Sequence, residues 1–378
     1  MPGEHHNARH DEPNGASSAG RHVQDDRAVG AVVGLAIGDA AGWPARQHRS
    51  HALPAWTRRL RRELDTFAEE HNVTSLPVPF ALNQDVTPLR FGPSDDAEWA
   101  AWTLTWLNTA RPAGGLGQRP GTGESDWSRE RVHAMWLKAA ESDGVPRGRI
   151  SVATAVDALR RGVLPPRTGH DNPHHFDDAA AIRAVAIGAM IGDPDPDHAA
   201  DVAEWDAEVT NAGDGVLAAR AIARTIASLP VDPMRPRRAL LSELPEHTLI
   251  GRTTRTALDA VTTTSSPAEA IPLLDDVVDR VYSYGTAAAQ TVAVAAALAD
   301  VALRAGTPSI EAVTAAACLS SLADSAPALT GALVGAARGA SSFPDSWVQR
   351  CRTLVGCCAP SLARADLLEL VKGSMGEQ

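Results

Sequence analysis

Apolar and small residues recur every three or four positions along most of the chain, and nowhere do they alternate for long enough to read as a strand. The pattern predicts helices over 28–41, 50–72, 95–109, 129–141, 151–162, 179–190, 197–209, 214–228, 254–262, 267–280, 286–305, 309–320 and 326–339. Pro77, Pro79, Pro88 and Pro93 make 73–93 an irregular connection, and the Gly/Pro-rich stretch from Arg111 to Ser128 reads as a surface loop. Residues 1–24 are polar and lack periodicity, which predicts a flexible tail ahead of one all-α domain over 25–375.

Several positions depart from the pattern of a plain helical bundle. Gly30, Gly34, Gly38 and Gly42 recur every four residues and leave one helical stripe without side chains. Each mid-helix glycine costs about 1 kcal/mol against alanine, so the stripe predicts that another helix approaches very closely. Asp39 ends this apolar helix, and a carboxylate there either bonds to neighbouring backbone or faces a polar site. Ser94-Asp95-Asp96 open the helix over 95–109. Ser94 can be its N-cap, with both aspartates complementing the helix dipole; alternatively the three oxygens form half of a cation site that needs a second acidic patch. Trp99, Trp102 and Trp106 share one face of this helix, which suits core packing or stacking on a base.

A second patch exists. In Leu322-Ala323-Asp324-Ser325-Ala326-Pro327 the proline belongs in a first helical turn, which fixes Asp324 and Ser325 at the helix entrance. Two helix starts, each carrying Ser and Asp, can therefore meet in space. The run from Gly169 to Asp178 holds three histidines beside three aspartates, yet it reads as a loop capping the next helix, with backbone able to face an anionic ligand, and zinc is not expected there.

Composition narrows the classes of partner. A net charge of -11, with no basic cluster longer than Arg58 to Arg62, argues against nucleic acid. Cys318, Cys351, Cys357 and Cys358 form no Cys-x-x-Cys pair, so neither a disulfide framework nor zinc is expected and a reducing cytoplasm fits. Gln290, Thr291 and Asp300 interrupt the most apolar stretch, and no membrane partner is expected. Richness in Ala, Arg, Pro and Gly is compatible with a GC-rich bacterial genome.

In combination the motifs resemble the ADP-ribosylglycohydrolase family. The resemblance rests on Gly34-Leu35-Ala36-Ile37-Gly38-Asp39-Ala40-Ala41-Gly42-Trp43-Pro44, Ser94-Asp95-Asp96, Asp177 to Arg183, Asp324-Ser325 with Thr330 to Ala336, and Phe343-Pro344-Asp345-Ser346-Trp347, in order over residues 28–350. It implies an orthogonally packed, multi-helix all-α fold whose cleft holds one or two Mg²⁺ or Mn²⁺ ions. It also implies hydrolysis of the glycosidic bond between ADP-ribose and a modified side chain or small acceptor. Carried over by position, Ser94, Asp95, Asp96, Asp324 and Ser325 would be metal ligands, and Asp95, Asp96 and Asp324 would carry catalysis. Asp39, Asp178, Arg183 and Asn211 would bind the ligand.

This chain departs from the family pattern at several places. The terminal Asp-Thr-Asp-Thr reads Leu322-Ala323-Asp324-Ser325, which removes one metal-binding carboxylate. Arg46 stands where a glutamate is usual, Thr-His reads Thr210-Asn211, and the acidic residue expected ahead of the helix over 151–162 has no placed counterpart. Two alternatives to an active hydrolase follow: a family member that binds ADP-ribose or a nucleotide without turnover, and a helical interaction protein.

Overall fold

The computed structural model describes residues 15–42, 92–109, 127–191, 195–229, 236–278, 286–319 and 321–375. The expected helix over 50–72, Arg46, and all but the last two residues of the connections at 73–93 and 111–128 lie outside them. The described residues are all-α. In chain order the helices are α1 (Gly15–Gly42), α2 (Asp95–Thr109), α3 (Arg129–Glu141), α4 (Ile150–Arg160), α5 (Arg167–His170), α6 (Ala179–Ile191), α7 (Pro196–Ala207) and α8 (Asp214–Ser228). They continue with α9 (Pro236–Ser242), α10 (Leu249–Ala260), α11 (Pro267–Asp275), α12 (Ala288–Ala305), α13 (Ser309–Cys318), α14 (Ala326–Arg338), α15 (Asp345–Cys351) and α16 (Leu367–Met375). Most ends match the apolar pattern to within a few residues. The short helices α5, α9, α15 and α16 were not expected, because one or two turns carry too few residues to establish a period. Helix α10 starts earlier than its apolar run, where the Thr248 hydroxyl accepts from the Gly251 amide. Helix α1 begins at Gly15, inside the stretch read as a tail.

The glycine stripe finds its partner in α14. A Cβ built on Gly30, Gly34, Gly38 or Gly42 would stand 2.0–2.3 Å from the carbonyl oxygen of Gly335, Gly331, Pro327 or Ala323 respectively. As residue numbers rise in one helix they fall in the other, so α1 and α14 run antiparallel. The reverse test agrees, since a Cβ on Gly331 or Gly335 would meet the carbonyl oxygen of Gly34 or Gly30 at 2.0 Å. Backbone lies directly on backbone, and the last turn of α1 is carried to the first turn of α14. Asp39 and Asp324 thereby reach the same end of the pair.

Two apolar clusters flank this contact. The larger gathers Val33, Ile37, Leu104, Ile182, Ile187, Ile222 and Leu329; the smaller gathers Leu258, Leu274, Leu298, Leu319 and Leu322. Helix α12 feeds both, with Val292 in the first and Val294 in the second. By length and apolarity α12 could cross a bilayer, yet 78% of it is buried inside the protein, where it serves as a central core helix. The three tryptophans of α2 belong to the packing too. Trp99 and Trp106 are buried, while Trp102 lies against Trp136 at 4.9 Å and donates to the Gly144 carbonyl.

Candidate functional site

The start of α2 is capped from a distance. Asp39, buried on α1, accepts from the Ser94 amide at 2.6 Å, the Ser94 hydroxyl at 2.8 Å and the Ala97 amide at 3.1 Å. The capping oxygen is thus Asp39 Oδ2, and Ser94 Oγ acts as a donor, contrary to its expected role as the cap's acceptor. A carboxylate at a helix N-terminus meets both the orphan amides and the positive end of the dipole. Asp39 therefore holds Asp95 and Asp96 in position at the head of α2.

Four carboxylates from three helix starts converge on one arginine, Arg149, which sequence reasoning missed. Arg149 immediately precedes α4 and is 4% exposed. Its Nη1 lies 2.9 Å from Asp178 Oδ1 and 3.7 Å from Asp324 Oδ2. Its Nη2 bonds Asp96 and donates to Ser325 Oγ at 2.9 Å, and its Nε is 3.2 Å from Asp95 Oδ2. Asp178 is fixed in turn, accepting from Thr291 Oγ1 of α12 at 2.8 Å while its amide donates to the Thr286 carbonyl. Burial disfavours the Arg149 charge, but Asp96, Asp95, Asp178 and Asp177 outweigh it and hold the guanidinium well above its ordinary pKa. Arg149 is a permanent cation here, paired through a planar fork that matches carboxylates.

Other expected site residues lie elsewhere. Arg183 is fully buried but donates to Asp206 Oδ2 at 2.7 Å and Thr210 Oγ1 at 2.9 Å, with its guanidinium 5.1 Å from the Trp136 ring. It braces α6 against α7 and does not reach the carboxylates around Arg149. Asn211 is likewise structural, its Nδ2 donating to the His175 and Asp177 carbonyls and to Asp177 Oδ1 at 2.9 Å. Of the predicted residues, Asp95, Asp96, Asp178, Asp324 and Ser325 are brought together around Arg149, and Ser94 and Asp39 stand behind them.

A divalent ion can be tested against this arrangement. The point shared by Asp95, Asp96, Asp324 and Ser325 is filled by the guanidinium, and Mg²⁺ or Mn²⁺ with oxygens at about 2.1 Å would need that same space. Leu322, where the family places a further carboxylate, is fully buried in the smaller apolar cluster. An ion displaced to 4 Å from the guanidinium would be opposed by about 8 kcal/mol, doubling the unit-charge value at an effective dielectric constant of 20. The residues at this cluster do not fit the Mg²⁺ or Mn²⁺ ions that the resemblance implies. Among the described residues, one trio has ligand atoms mutually within 4.8 Å: Glu98, Cys357 and Cys358. There Glu98 already accepts four amides, from Gly356, Cys357, Cys358 and Ala359 at 2.6–2.7 Å. The hydrogen bond to Cys358 and then burial push the Cys357 thiol up.

Fold and site together define a class: an all-α protein with a buried acidic cluster assembled from helix starts distant in sequence. The chain belongs to the ADP-ribosylglycohydrolase family, whose sequence model matches residues 21–377. A solved structure, an ADP-ribosylglycohydrolase-related protein complex, is similar in fold at a TM-score of 0.54 and 17% identity, over 94% of this chain and 100% of that one. No curated protein matches the chain.

Proposed function

We propose that the chain hydrolyses the glycosidic bond between ADP-ribose and a modified side chain or small acceptor, with the cluster around Arg149 as its active centre. The observation that carries this reading is the convergence of Asp95, Asp96, Asp178 and Asp324 on one point, in a chain whose family is defined by that reaction. Asp324 is the most exposed of the four carboxylates, at 7%, and the farthest from the guanidinium, which suits it to take a proton. In this reading water attacks the anomeric carbon while the bond to the acceptor breaks. Asp324 receives the water's proton and releases it to solvent, while the acceptor leaves with the bonding electrons and takes one proton from solvent, so that no net proton is consumed. The negative charge of Asp95 and Asp96 favours the positive charge that develops on the ribose. Arg149 holds these carboxylates in register, so magnesium or manganese has no step in the scheme. The free thiols of Cys318, Cys351, Cys357 and Cys358 support a place in a reducing compartment such as the cytoplasm.

Incubation of the purified chain with ADP-ribosyl-arginine and ADP-ribosyl-serine conjugates, followed by chromatography of free ADP-ribose, tests the reading. The expected result is release that falls about 10²–10⁴-fold in Asp324→Asn. If the wild type releases nothing while ADP-ribose raises its melting temperature, the chain binds without turnover. With neither release nor a thermal shift, the hydrolase reading fails altogether.

A further inference from the structure

Three helix starts deliver carboxylates to one place, and the chain has put a side chain there. Arg149 reaches Asp95, Asp96, Asp178 and Asp324 with Nε and both Nη atoms, and Ser325 Oγ completes its surroundings. Each partner bears an oxygen of the kind that ligates a hard divalent cation. The backbone ahead of Arg149 is shaped for this placement: Gly148 has a φ of +106°, open to glycine but rarely to other residues, and a Cβ there would stand 2.9 Å from Cys358 Sγ. The neighbouring position that would add negative charge is Leu322, which faces the core.

We propose that Arg149 is a built-in replacement for the divalent metal, so that this acidic cluster is metal-independent and excludes Mg²⁺ and Mn²⁺. The inference takes the same cluster as the proposed function but is read out by metal binding, with no need for turnover. The guanidinium supplies one permanent positive charge, fixed in direction by its fork, where an ion would supply two and exchangeable water positions. Its consequence is that a chelator leaves the wild-type protein unchanged.

The test is Mn²⁺ binding to the full chain, followed by electron paramagnetic resonance titration and by thermal shift. Wild type is expected to show no Mn²⁺ bound at the cluster and no change in melting temperature with Mn²⁺ or a chelator. Arg149→Ala is expected to gain Mn²⁺ binding at least about tenfold tighter than wild type, a conservative reading of the repulsion between a guanidinium and a divalent ion at 4 Å. That gain should disappear when Asp95→Asn is added. Should Arg149→Ala not fold, Arg149→Gln, which removes the charge and keeps much of the length, is read in the same way. Wild-type Mn²⁺ binding abolished by Asp95→Asn would overturn the proposal, as would a folded Arg149 variant that gains no binding. Binding that survives Asp95→Asn lies elsewhere and leaves the cluster metal-free as proposed. No ADP-ribosyl hydrolysis by the wild type, with the expected metal behaviour, would refute the proposed function and leave this inference standing.

Discussion

Arg149 shows how much one side chain can depend on the rest of the molecule. Removing it strands several buried carboxylates, which is far costlier than the net worth of the ion pairs themselves. Arg149→Ala should therefore lower stability by about 3–5 kcal/mol, measured by urea unfolding at pH 7. Glu98 is the counterpart at the other side of α2, an anion whose oxygens are consumed by four amides of the 356–359 turn. Glu98→Gln should cost about 3 kcal/mol, since an amide accepts through one oxygen and sets its own N–H groups against backbone donors. Hydrogen exchange of the amides over 356–359 should quicken in the same variant. Neither role is visible locally. Arg147 and Arg149 flank the same glycine, yet the first has a side chain 82% exposed and the second one 3% exposed.

At the scale of elements, the α1–α14 contact leaves no room for a methyl group. Gly34→Ala would gain about 1 kcal/mol of helix propensity. It would also force the added Cβ, 2.1 Å from the Gly331 carbonyl oxygen, to push the helices apart. Overpacking against backbone should win, with a net loss of at least about 2 kcal/mol measured by chemical denaturation. Near the C-terminus, α15 and α16 are tied by Arg352 and Asp366. Arg352 Nε donates to Asp366 Oδ2 at 2.8 Å, and the Leu368 amide donates to Oδ1. Burial pushes the Asp366 carboxyl up, but the hydrogen bonds and charge of Arg352, with the Leu368 amide, hold it below its usual range. A carboxyl lowered in the folded state stabilises fully above its unfolded pKa, near about 4, and loses that contribution as pH falls through the lower folded value. The melting-temperature advantage of wild type over Asp366→Asn should thus be constant from pH 7 to about 5 and shrink below about 4.

For the whole molecule, α1 and α14 come from opposite ends of the sequence, while α12 joins the two apolar clusters. The smaller cluster, drawn from residues 257–326, shares α12 with the larger one and is coupled to it, so thermal unfolding should give one transition, coincident by far-UV circular dichroism and tryptophan fluorescence. Separate midpoints for the two probes would contradict a single domain. The sequence by itself determined the longer helices, because a 3.6-residue apolar period is a local property, but not the short α5, α9, α15 and α16. It determined the close approach to α1, since four glycines on one stripe have no other use, and it placed Asp95, Asp96, Asp324 and Ser325 at helix entrances through cap and proline chemistry. Only the tertiary structure decided what those groups meet. That Asp39 caps α2, that Arg183 turns to Asp206, and that Arg149 fills the point between four carboxylates are matters of contacts spanning 23 to 176 residues. The energy of a buried charge is set by its partners, and a local pattern cannot name them.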